Sequence, residues 1–70
     1  MTVGELFGSV PIFGLVTFMV PDETDPKRFR EETTVMFTPF ERSPMPQRLA
    51  SRTVRELSVR DADTIFVYCA

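Results

Sequence analysis

The chain contains no histidine, a single cysteine and only three glycines in 70 residues. Each scarcity removes a class of chemistry. Without histidine there is no Ser-His-Asp or Cys-His arrangement, and only carboxylate or lysine bases remain for proton transfer. Cys69 has no second cysteine with which to form an intramolecular disulfide. It cannot by itself supply the Cys/His ligand set of a structural zinc site. Gly4, Gly8 and Gly14 form no phosphate-cradling GxxxxGK loop. No apolar run approaches the roughly 20 residues of a membrane-spanning helix. The opening Met1-Thr2-Val3-Gly4-Glu5 lacks the basic segment of a secretory signal. An unpaired thiol fits a reducing compartment, so a cytoplasmic location is expected. The expectation is a protein that binds rather than catalyses, with no cofactor and no metal.

What is present bounds the fold. A chain of 70 residues forms one domain at most, spanning 1–70. A domain near this size buries only about 60% of the surface its unfolded chain exposes, so small chains need a dense core or a partner subunit. Seven phenylalanines and 43% hydrophobic residues supply material for a core. The formal charge of −2 argues against a general double-stranded DNA binder, which needs a basic face to displace counterions.

Along the chain, Thr2 and Glu5 have the spacing of a capping box. Val3, Leu6, Phe7 and Val10 follow at the intervals of one helical face. Gly8, Ser9 and Pro11 end that helix after about two turns. Phe13 to Val20 is rich in β-branched and aromatic residues and bounded by prolines. It reads as a central strand covered on both faces, or on one face by a partner subunit. Residues 21–33 read as a long, charged, exposed hairpin connection. Thr34 to Phe40 reads as a second strand, with Pro39 marking its end or an edge position. Ser43 to Ser51 reads as a helical turn, with Ser43 as N-cap and Pro44 at the first helical position. Thr53 to Arg60 is a strand whose Val54-to-Leu57 step predicts a bulge or a late strand start. After a turn at 61–63, Thr64 to Cys69 closes the chain, with Ile65, Val67 and Cys69 on one face and Phe66 and Tyr68 on the other. The fold class is therefore α+β: a small antiparallel sheet of about four strands, a short N-terminal helix, and a helical turn between two hairpins. One helix and one helical turn hardly cover a sheet with two apolar faces, so a homo-oligomer is expected.

Few residues could carry recognition chemistry. Cys69, inside an apolar strand, reads as a packing residue. Asp61 and Asp63 read as turn residues, because the oxygen ligands of a calcium loop do not follow them. Lys27, Arg28, Phe29 and Arg30 place three cations around one aromatic. They form a candidate protein-interaction hot spot, or a contact for a phosphate or a base, or a solvated loop balanced by Asp22, Glu23, Asp25, Glu31 and Glu32, whose charges blunt attraction for a polyanion. Arg48, Arg52 and Arg55 form a second basic set and a candidate site for a phosphate-bearing ligand.

The opening Thr2-Val3-Gly4-Glu5-Leu6, the helical turn at Pro46-Gln47-Arg48-Leu49, the stretch Thr53 to Val59 and the closing Ile65-Phe66-Val67-Tyr68 together resemble a class of very small accessory proteins. These are encoded by phages and mobile elements of Gram-positive bacteria. The resemblance covers most of the chain outside residues 21–33 and implies a non-enzymatic viral accessory protein acting in the host cytoplasm. Small phage proteins of similar size include inhibitors of bacterial antiviral defence, which cap a host defence protein or sequester a small nucleotide signal, and such an inhibitor is the expected role. A structural or assembly subunit of a phage or mobile-element particle is the alternative.

Overall fold

The N-terminal capping box forms as its spacing predicts. In the computed structural model, which describes residues 1–38, 45–61 and 64–70, the Glu5 amide donates to Thr2 Oγ1 at 3.2 Å and the Thr2 amide to Glu5 Oε1 at 3.0 Å. These bonds hold the Glu5 carboxyl below the ordinary carboxylate range. The helix they start, α1, spans Val3–Ser9 and buries Val3 and Leu6. Phe7 packs its ring 4.8 Å from Phe37 and 5.8 Å from Phe18. Val10, expected on the same face, lies just past the helix in extended backbone and is exposed.

Gly4 and Gly8 sit in this short helix for different reasons. A Cβ on Gly4 would lie 3.1 Å from the Ala50 carbonyl oxygen, so the small residue lets the second helix approach. A Cβ on Gly8 would meet nothing within 4 Å, and Gly8 has no positive φ to preserve. Gly8→Ala should therefore raise stability by about 0.5–1 kcal/mol, the helix-propensity difference. Urea denaturation checks this, and a lowered midpoint would show that Gly8 has a conformational role.

Four strands follow: β1 (Gly14–Pro21), β2 (Phe29–Phe37), β3 (Val54–Asp61) and β4 (Thr64–Cys69). Between β2 and β3 lies α2 (Gln47–Ala50). The α+β class and the element order are as the sequence predicts. One correction concerns the sheet, which is mixed rather than antiparallel. β1–β2 and β3–β4 are antiparallel hairpins, but they join through parallel pairing of β1 with β4, giving the order β2-β1-β4-β3. The physical reason lies in the connection from β2 to β3. It crosses from one outer edge to the other, and a crossover with a helix is what lets the most apolar strands meet in parallel at the centre.

A second correction concerns the stretch 21–33. β1 continues through Pro21 and β2 begins at Phe29, so the connection is residues 22–28. Its closure is local: the Asp22 amide donates to the Arg28 carbonyl, and Asp22 Oδ1 accepts from the Thr24 amide and hydroxyl. Such Asx-type closures make a compact turn from acidic residues. The charged residues Arg30, Glu31 and Glu32 belong to β2, an outer strand that tolerates charge. The expected N-cap Ser43 and Pro44, the strand end at Pro39 and Phe40, and the turn residues Ala62 and Asp63 lie outside the described residues. In the structure Pro46 precedes α2 and makes no side-chain capping bond.

The core lies between the helices and one sheet face. Val16, Phe18 and Val20 of β1, Phe37 of β2, Val67 and Cys69 of β4, Val3 of α1 and Leu49 of α2 form one buried cluster. Their positions follow the strand alternation of successive residues between faces. The backbone of residue 52 ties the N-terminal corner down, with the Val3 amide donating to the Arg52 carbonyl at 2.8 Å.

Candidate binding surface on the open sheet face

The opposite face of the sheet receives neither helix. Residues paired across strands share a face, so the register defines what this face carries. Leu15, Thr17 and Met19 of β1 stand beside Met36 and Thr34 of β2 and beside Thr64, Phe66 and Tyr68 of β4. Pro21 stands opposite Phe29. Thr17 is only 3% exposed although neither helix lies on this face. Its hydroxyl is satisfied by Thr34 Oγ1 at 2.9 Å.

At one end of this face the aromatic side chains converge. The Phe29 ring meets Tyr68 edge-on, with centroids 5.1 Å apart and planes at 83°. Phe66 continues the group, 6.4 Å from Tyr68. The Arg55 guanidinium lies over the Phe29 ring, with Cζ 5.7 Å from the centroid. Arg55 reaches it because the register shifts between Val54 and Glu56, leaving Arg55 as an extra residue in β3. Bulges re-aim side chains in this way. An arginine held against an aromatic face gains cation–π attraction and keeps its N–H groups for a partner.

The residues singled out from the sequence do not gather at one place. Phe29 is half-buried on the sheet rather than exposed on a loop tip. Lys27 and Arg28 stay in the connection, where the Lys27 amide donates to Asp25 Oδ1 and Arg28 Nε lies 3.6 Å from Asp25 Oδ2. Arg30 pairs with Glu32 at 3.0 Å, and Arg48 of α2 donates to the same carboxylate through Nε and Nη2. Hydrogen bonding from Arg48, aided by the charge of Arg30, holds the Glu32 carboxyl low against the opposing effect of partial burial. Arg52 Nη1 donates to the Ala70 carbonyl oxygen at 3.0 Å. Arg48, Arg52 and Arg55 therefore take three different partners, and only Arg55 joins the aromatic group.

The remaining chemistry is sparse. Cys69 is fully buried, and burial pushes its thiol up, the opposite of what a nucleophile needs. Among the described residues no group of three or more acidic or cysteine side chains could hold a metal ion. No helix of the described residues is long and apolar enough to cross a membrane. No protein-family model, curated protein or solved structure matches the chain. The aromatic cluster draws on Tyr68 and Phe66, which the alternation of the last strand placed on one face. What the sequence did not reveal is the parallel β1–β4 pairing that brings them to Phe29.

Proposed function

We propose that this chain is a non-enzymatic accessory protein that neutralises a host protein by stoichiometric capping. The open sheet face is the contact surface, and the Arg55–Phe29–Tyr68 cluster is its anchor. The observation that carries this reading is the composition of that face. Aromatic residues, methionine and arginine are what protein–protein interface cores enrich, and anchors of this kind dominate binding energy. Glu31 and Glu56, carried on the flanking strands, supply an acidic rim that suits a protein better than a polyanion. A phage or mobile-element origin, as the sequence resemblance implies, fits a small binder with no catalytic inventory. The sequestration of a nucleotide is the weaker reading, because the arginines it requires take separate partners.

The test is affinity capture from bacterial lysate with quantitative mass spectrometry, run in parallel with wild type, Phe29→Ala, Arg55→Ala and the loop variant Arg28→Ala. A capped partner should be held by wild type and Arg28→Ala. Truncating an anchor worth about 2 kcal/mol should weaken its retention on the order of 30-fold. Equal capture by all four proteins would remove the open face from the function. Stoichiometric retention of a cyclic nucleotide in native mass spectrometry would reassign the protein to signal sequestration.

A further inference from the structure

We infer that two copies of this chain pair antiparallel along the outer edge of β2, through residues Thr33–Phe37, to form one continuous eight-stranded sheet. The two outer strands differ in how they are protected. β3 is interrupted twice, at Arg55 and at Arg60, which leaves only the four residues Glu56–Val59 in unbroken register. Bulges and charges of this kind are the usual guards against edge pairing. β2 has one irregularity, at Glu32, and its charges lie at or before that point. Beyond it, Thr33, Thr34, Val35, Met36 and Phe37 pair in unbroken register with Phe18, Thr17, Val16, Leu15 and Gly14. The segment contains no charge, proline or glycine. Among the described residues no strand pairs with its other edge. Met36 of this segment, on the open face, is 53% exposed.

The occupant follows from register and charge. A partner strand must keep its apolar set on the same face as its neighbour, so paired positions must share a face. For β2 against itself, the two-fold axis must then pass through a residue rather than between residues. Only an axis at Val35 pairs all five uncharged residues with one another: Val35 with Val35 of the second copy, Thr34 with Met36, and Thr33 with Phe37. No like charges meet within the segment. The arrangement is isologous and closes as a dimer, whereas a head-to-tail pairing of β2 with β3 would propagate. The helices of both copies stay on one side of the sheet, and both open faces point to the other.

Sedimentation equilibrium of the wild-type chain at about 200 μM should give about 16 kDa, twice the 8.0 kDa of one chain. Isotope-filtered NMR on a mixed labelled and unlabelled sample should show contacts between the Thr34 methyl of one copy and the Met36 methyl of the other. The double variant Thr34→Lys/Met36→Lys sets two pairs of lysines opposite each other in the dimer and should weaken association on the order of 30-fold, because like charges directly opposite are destabilising. Its far-UV circular dichroism should be unchanged. An 8.0 kDa species at the highest concentration would overturn the inference. So would intermolecular contacts from Leu57 and Val59 in place of Thr34 and Met36. Should the variant unfold, the wild-type NMR contacts decide the matter by themselves.

Discussion

Replacing Phe18 by alanine should leave a chain with no cooperative unfolding transition at room temperature. Phe18 lies in β1, one of the two central strands, and is completely buried. It joins the helix layer to the sheet, with the Phe7 ring 5.8 Å away and Val67 opposite it on β4. Removing a buried phenylalanine ring costs about 3–5 kcal/mol, part transfer energy and part cavity. A domain of this length holds in total about 4–10 kcal/mol of stability by the usual per-residue scaling. The loss is therefore comparable to the whole margin. Phe66, half-buried on the open face, is the internal control. Its truncation should lower the urea midpoint only modestly, because the ring loses less buried surface and water can occupy the space it leaves. A Phe18→Ala protein that melts cooperatively within a few degrees of wild type would mean that the core is organised elsewhere.

The contrast between Phe18 and Phe66 also marks what the sequence makes legible. Local rules sufficed wherever the determining interactions are local. Thr2 and Glu5 lie three apart and bond each other. The broken alternation from Val54 to Leu57 allows a bulge or a late strand start, and the structure has the bulge, at Arg55. The alternation of the last strand separated Val67 and Cys69 from Phe66 and Tyr68, as the structure has them. Two matters depended on contacts distant in sequence, and there the reading fell short. The strand boundaries around 21–33 were misjudged because charged residues on an outer strand look like loop when only composition is seen. Arg30, Glu31 and Glu32 are in β2 because it is an outer strand, which the sequence does not announce. The parallel junction of β1 and β4 was equally hidden. Both strands are apolar on both faces, and such runs fit either orientation.

The same distinction explains the candidate site. Phe29 stands out in the sequence as an aromatic among cations, yet its neighbours in sequence are not its neighbours in space. Arg28 turns to Asp25 and Arg30 to Glu32, while Arg55, far along the chain in β3, lies over its ring. A cluster read from adjacency thus dissolved, and another formed across three strands. The arginines 48, 52 and 55 dissolved for a related reason. They straddle the end of α2, a short bridging segment and the start of β3, where the chain changes direction and successive side chains leave in different directions.

That junction sets the second large effect. α2 is four residues long and has no side-chain cap, and so short a segment has no stability of its own. Among the side chains that tie it to the sheet are Leu49, 1% exposed in the core, and Arg48, paired with Glu32. Magnitudes decide between them. Truncating a buried leucine to alanine costs about 2–5 kcal/mol. The Arg48 side chain is 63% exposed, and exposed ion pairs contribute about 0–1 kcal/mol. Glu32 also keeps Arg30 when Arg48 is removed. Leu49→Ala should therefore destabilise the protein several-fold more than Arg48→Ala, by urea denaturation. It should also accelerate hydrogen exchange at the Val3 amide, which bonds the Arg52 carbonyl just past α2. Through that bond and the close approach at Gly4, α1 is docked on α2, so losing Leu49 loosens both helices together. If Arg48→Ala proved the more damaging variant, the clamp on the helix would be electrostatic, and its stability would fall steeply with added salt.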